Sequence, residues 1–126
     1  MILVDTDVLI WALRGSASAQ DWLRSARSES PLGVSVVTIA ELTGGMRSAE
    51  RAAVWSLLAA LRPQVADEVV ARRAGELRRE WRASHASIGI ADYLIAATAE
   101  TTGARLATLN VKHFPMFDGL QPPFQP

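Results

Sequence analysis

Apolar residues are arranged along this chain in two ways. At Ile2-Leu3-Val4, Gly33-Val34-Ser35-Val36-Val37 and Arg105-Leu106-Ala107-Thr108-Leu109 they form short, nearly continuous runs, the pattern of buried strands. Between those runs they recur at three- and four-residue intervals, the pattern of helices. Val8-Leu9-Ile10-Trp11-Ala12-Leu13 predicts a helix over 8–14, with Asp7 or Thr6 as N-cap and Gly15 as its stop. A second helix is expected from Ser18 to about Arg27, capped by Ser18-x-x-Asp21 and broken at Ser30-Pro31. Thr38-Ile39-Ala40-Glu41-Leu42 opens a third, ended by Gly44-Gly45; Val54, Leu57, Leu58 and Leu61 mark a fourth, started by Ser48 and closed by Pro63. The longest helix runs from about Ala66 to Ala83 on the stripe Val70, Ala74, Leu77, Trp81, and the last begins near Ile88–Asp92 and stops at Gly103. The tail, with Pro122, Pro123 and Pro126, has no period and is expected to lie across the surface. Short strands alternating with helices define an α/β fold with a parallel sheet covered by helices and right-handed crossovers.

Length and composition narrow this further. At 126 residues the expectation is one domain, 1–126, and the 49% hydrophobic content excludes a disordered chain. The absence of cysteine excludes disulfides and thiolate metal sites. Acids at positions 5 and 7 interrupt any signal-like apolar start, and no apolar run approaches the ~20 residues of a membrane span, so a soluble, cytoplasmic protein is expected. Net charge is zero, so no whole-molecule field draws the protein to nucleic acid.

The candidate chemistry lies at the ends of the strands. Asp5 follows the first strand, Glu41 sits in the helix after the second, and Asp92 opens the helix before the third, where Thr108 and Asn110 add oxygen groups. In open α/β sheets ligands bind beyond the carboxyl ends of the strands. If the strands are parallel neighbours, these acids converge, and like charges raise one another's pKa unless a cation is present. Oxygen ligands alone select a hard ion, Mg²⁺ or Mn²⁺, and such a site suits phosphodiester hydrolysis by a metal-activated water. Each acid also has a purely structural reading. Thr38-x-x-Glu41 is a capping box, Asp7 an N-cap, and Asp92 a favourable charge at a helix N-terminus. Asp5, directly behind a buried strand, is the hardest to explain in that way.

Four segments then carry a resemblance. Asp5-Thr6-Asp7-Val8-Leu9-Ile10, Thr38-Ile39-Ala40-Glu41-Leu42, Asp92-Tyr93-Leu94-Ile95-Ala96-Ala97-Thr98-Ala99 and Thr108-Leu109-Asn110-Val111-Lys112-His113-Phe114 resemble, in order and spacing, the signature blocks of PIN domains, in particular the VapC toxins of toxin–antitoxin pairs. The resemblance implies a PIN-like three-layer sandwich and an Mg²⁺- or Mn²⁺-dependent endoribonuclease. It implies Asp5, Glu41 and Asp92 as metal-binding acids, Asn110 in the place of a fourth acid, and Thr6 and Thr108 as supporting hydroxyls. It also implies a VapB-type antitoxin partner, an RNA substrate and a homodimer. Asn110 brings an oxygen without charge, which leaves a catalytically inactive PIN-like binding module as the alternative. A receiver-type signalling domain is disfavoured, because no Asp lies between Asp21 and Asp67 to accept a phosphoryl group.

Other residues read as structural. Arg72, Arg73, Arg78, Arg79 and Arg82, interleaved with Glu76 and Glu80, have the look of a solvated, ion-paired helix face before they suggest an RNA grip. The four tryptophans read mostly as core, with Trp11 also a candidate to line a partner groove. His85 and His113 have no ligand-spaced companions, which argues against zinc, and His113-Phe114 reads as packing and capping.

Overall fold

The computed structural model describes residues 1–126. Its elements are β1 (Ile2–Val4), α1 (Thr6–Leu13), α2 (Ala17–Glu29), β2 (Leu32–Ser35), α3 (Val36–Gly45), α4 (Arg51–Ala59), β3 (Arg62–Gln64), α5 (Glu68–Trp81), α6 (Ile90–Thr102) and β4 (Arg105–Ala107), with 3₁₀ turns at Ser48–Glu50 and Val111–His113. The four strands form one sheet in the order β3-β2-β1-β4, every pair parallel. β1 is therefore interior, flanked by β2 and β4. The chain lays down β1, β2 and β3 in one direction and then returns to place β4 on the other side of β1. That reversal makes the β1–β4 crevice the switch point at which parallel sheets bind ligands.

The alternation of side chains along a strand puts the sheet between two apolar layers. Ile2, Val4, Leu32 and Val34 pack with Val8, Leu9, Ala26, Leu42, Val54, Leu58 and Leu61, on the side of α1 to α4. Leu3 and Leu106 face the other way, onto Val70, Ala74, Leu77, Tyr93, Ile95, Ala96 and Phe114 of the α5–α6 side. The α/β three-layer expectation holds. The stripe on α5 is buried as its spacing predicts, with Val70, Ala74 and Leu77 inside and Trp81 half-buried.

Several boundaries differ from the sequence reading, each for a local reason. α1 begins at Thr6, capped by Asp5, whose side chain accepts from the Thr6 amide; neither Thr6 nor Asp7 is the cap. α2 is capped by Ser16, which accepts from Ala19 N, so Ser18 and Asp21 lie inside the helix. β2 ends at Ser35, which caps α3 by accepting from Val37 N. Val36 and Val37 are thus helical although their β-branched side chains suggested strand, and Gly44 and Gly45 close α3 from within. The fourth helix stops at Ala59, and Pro63 lies in β3, a strand whose exposed residues Arg62 and Pro63 gave no apolar run to read. β3 is an edge strand, where a residue without an N–H is tolerated.

The tryptophans are less buried than expected, with Trp11 38% and Trp55 45% exposed. On α5, Arg72 pairs with Glu68, and Arg73 pairs with Glu76 and grips Glu100 of α6 at 2.6 and 3.3 Å. The tail carries Phe124 onto Trp22, ring centres 6.4 Å apart.

Candidate active site

Asp5 leaves β1 in extended conformation and stands at the N-terminus of α1. Its amide donates to the Ala107 carbonyl at 2.9 Å, which ties it to the end of β4. One carboxylate oxygen accepts from Thr6 N at 2.8 Å and the other from Thr108 Oγ1 at 2.7 Å. Asp7, in the first turn of α1, reaches the same turn after β4: its Oδ2 accepts from Leu109 N at 3.1 Å and lies 3.4 Å from Thr108 Oγ1. A hydroxyl has one proton to donate, and the shorter contact assigns that proton to Asp5. Thr108 Oγ1 in turn accepts from Asn110 N at 3.0 Å. One buried hydroxyl therefore joins β1, α1 and the turn beyond β4.

The electrostatics follow from this enclosure. Asp5 is 5% exposed. Burial, then the charge of Asp7, pushes its pKa up to about 7 against the pull of the Thr108 and Thr6 hydrogen bonds, and Asp92 adds a smaller push in the same direction. Asp7 is also raised, by burial, with the amides of Leu109, Val8 and Asn110 opposing. Asp7 Oδ1 is buried and has no hydrogen-bond partner.

α3 delivers Glu41 to this edge. Thr6 Oγ1 donates to Glu41 Oε1 at 2.8 Å and lies 3.0 Å from Thr38 Oγ1. Thr38 is fully buried in the first turn of α3 and is not its cap, so the capping-box reading of Thr38 and Glu41 fails. Three residues apart on one helix, the two side chains share a face, and that face meets α1. Asp92 lies in the first turn of α6, whose N-cap is Gly89. Its Oδ2 is 2.8 Å from His113 Nδ1, and the same ring nitrogen is 2.9 Å from Asn110 Nδ2.

Thus Asp5, Glu41, Asp92, Thr6, Thr108 and Asn110 all reach the carboxyl edge of the sheet, in two hydrogen-bonded groups: Thr38–Thr6–Glu41, and Asp5 and Asp7 on the Thr108–Asn110 turn that runs on to His113 and Asp92. Two members were not read from the sequence as part of the site. From the sequence Asp7 reads as an N-cap, and only pairing with residues 108 and 109 reveals its place. From the sequence His113 reads as packing and capping; its three-residue spacing from Asn110 in a tight turn is the available signal. No three Asp, Glu, His or Cys side chains are gathered closely enough to hold an ion in this arrangement. The chemistry nonetheless fits a hard cation. The donors are oxygens, the central acid is raised by burial and then by the charge of Asp7, and Asp7 Oδ1 is a buried acceptor without a partner.

A short parallel sheet between two helical layers, with acids gathered at its switch point, is the architecture of PIN domains. The PIN domain family model matches residues 2–118, and the chain belongs to that family. It is 63% identical over 124 residues to ribonuclease VapC10 of Mycobacterium tuberculosis, covering 98% of this chain and 93% of that protein. It is 40% identical over 125 residues to ribonuclease VapC19 of the same organism, covering 98% and 100% respectively. Among solved structures, VapBC2 from Rickettsia felis, bound to a DNA fragment from its promoter, superposes with a TM-score of 0.82 at 25% identity over 95% of this chain and 96% of that one.

Proposed function

We propose that this chain, acting as one PIN-like domain, is an Mg²⁺- or Mn²⁺-dependent endoribonuclease and the toxin of a cytoplasmic toxin–antitoxin pair, with a VapB-type antitoxin as its partner. The buried Asp5 carboxylate is the observation that carries the reading. A folding protein gains nothing from an acid held near pKa 7 by burial and a neighbouring acid, whereas a divalent cation relieves that conflict. The kinship with ribonucleases VapC10 and VapC19 supports the substrate class.

Asp5, Glu41 and Asp92 would hold the cation, which supplies a water of lowered pKa and positive charge against the phosphoryl oxygens. The residues of the chain do the positioning. Thr108 and the Thr6 amide fix the Asp5 carboxylate in one orientation. Thr6 fixes Glu41, and Asp7 clamps the turn that carries Thr108 and Asn110. Asn110 offers a neutral oxygen, so the negative charge of the site rests on the acids of β1, α1, α3 and α6. Ligands held this way lose little orientational freedom when the ion and the RNA phosphate arrive.

The test is cleavage of total RNA by purified protein, free of antitoxin, with Mg²⁺ or Mn²⁺. Discrete cuts are expected, lost with EDTA and in Asp5→Asn. Absence of cuts in a protein verified as folded would overturn the reading. A second reading, an inactive PIN-like binding module, is favoured by Asn110 and by the open spacing of the acids. Calorimetric titration with Mn²⁺ separates the two, since an inactive site binds no ion.

A further inference from the structure

His113 stands outside every role assigned above, yet its Nδ1 is the shared partner of two site residues, 2.8 Å from Asp92 Oδ2 and 2.9 Å from Asn110 Nδ2. The two neighbours make opposite demands. A carboxylate only accepts, whereas an amide nitrogen only donates. A hydrogen bond to a charged acceptor is about twice as strong as a neutral one, so the Nδ1 proton goes to Asp92. Asn110 then meets the same single Nδ1 proton only by turning its amide, so that its carbonyl oxygen takes the longer arm of a three-centre hydrogen bond.

Asp92 has no other hydrogen-bond partner in the structure and retains 24% side-chain exposure, with His113 at 28%. Left alone, a carboxylate in that position rotates freely. The ring itself is held by its place in the 3₁₀ turn Val111–His113, directly before Phe114, which is buried in the α5–α6 layer. The chain of support therefore runs from a fully buried aromatic, through a short turn, to the carboxylate of α6.

We infer that His113 is a positioning residue: its Nδ1–H locks Asp92 in one orientation and joins it to Asn110, so that the acid on α6 and the oxygen beyond β4 are aligned together. The inference rests on the reading of Asp92 as part of the site. Outer partners that orient ligating groups commonly alter metal affinity or activity by roughly 10- to 100-fold when removed.

Two measurements test it. The first needs neither metal nor turnover: ¹H–¹⁵N NMR of the His113 imidazole in the metal-free protein in alkaline buffer, where the neutral ring declares its tautomer. The Nδ1–H form is expected; the Nε2–H form would overturn the inference. The second compares three substitutions by Mn²⁺ calorimetry and RNA cleavage. His113→Ala is expected to weaken Mn²⁺ binding about 10-fold or more and to lower kcat with KM for RNA little changed. His113→Asn, whose Nδ2 occupies the position of Nδ1, is expected to restore most of both, and His113→Gln, which mimics Nε2, is not. Rescue by Gln and not Asn, or a His113→Ala protein within about twofold of wild type, would remove the positioning role. Asp92→Asn serves as the reference. If it binds Mn²⁺ and cleaves like wild type, the site reading itself fails; if it is inactive while His113→Ala is normal, only this inference fails.

Discussion

Asp5 has two properties that oppose each other. It caps α1 as a hydrogen-bond acceptor, which any carboxylate or amide oxygen can do, and it places a charge where burial and Asp7 resist charge. Its pKa is 3.8 when unperturbed and about 7 in the fold. Below both values the group is protonated in folded and unfolded chains alike. Between them the folded chain keeps a proton that the unfolded chain has lost, so metal-free stability falls as pH rises from about 4 to about 7, by up to ~1.4 kcal/mol per unit. Asp7, raised by burial, adds a slope of the same sign. Asp5→Asn mimics the protonated acid, and the Thr108 hydroxyl can accept from the new amide while donating to Asp7. In EDTA the variant is therefore expected to melt above wild type at pH 8 and to lose that advantage near pH 4, as thermal denaturation at the two pH values would register. Thr108→Val acts in the opposite sense. It strips Asp5 of a hydrogen bond that lowers its pKa, so it should cost ~1–3 kcal/mol of stability and move the midpoint of Mn²⁺ binding to higher pH in a pH series of titrations.

At the scale of elements, the site depends on where helices begin. Asp5 marks the start of α1, Ser35 the start of α3, and Gly89 the start of α6, and each start lies at or near the carboxyl edge of the sheet. Ser35 is fully buried and satisfies the Val37 amide at 3.0 Å, so Ser35→Ala is expected to destabilise the protein by ~1 kcal/mol in urea titration. Because α3 carries Glu41, the same substitution should weaken Mn²⁺ binding without touching an acid. These starts were only partly legible. Thr38-x-x-Glu41 has the sequence of a capping box, but Ser35 lies at the strand end and takes the cap first, which turns Thr38 inward and frees Glu41 to meet Thr6. β3 was not legible, because Arg62-Pro63-Gln64 is held by backbone pairing to β2 and has no apolar face to betray it.

For the molecule as a whole, the proposed ion would join elements distant in sequence: Asp5 at the junction of β1 and α1, Glu41 on α3 and Asp92 on α6. A ligand that binds only the folded state stabilises it by mass action, ~2.7 kcal/mol at a hundredfold excess over Kd. For a domain of this size that amounts to a rise in Tm of roughly 5–15 °C. Adding Mn²⁺ to metal-free protein at pH 8 is expected to raise Tm by that order, and to raise it little in Asp5→Asn. An equal shift in both proteins would place the ion elsewhere.

The sequence by itself determined the layer architecture and singled out Asp5, Glu41 and Asp92 as the candidate acids. Buried strands and helical stripes are written in local periodicity, and Asp5 is conspicuous because a carboxylate directly follows three apolar residues. What it left open was pairing. Whether Asp7 caps a helix or clamps the turn at Leu109, and whether His113 packs or holds Asp92, depends on contacts across 102 and 21 residues of chain. Such contacts exist only once β4 lies beside β1, since strand order is set by the burial of both sheet faces together and not by any segment alone. The pKa of Asp5 belongs to the same category: it arises from burial and from Asp7 held beside it, and the folded molecule supplies both.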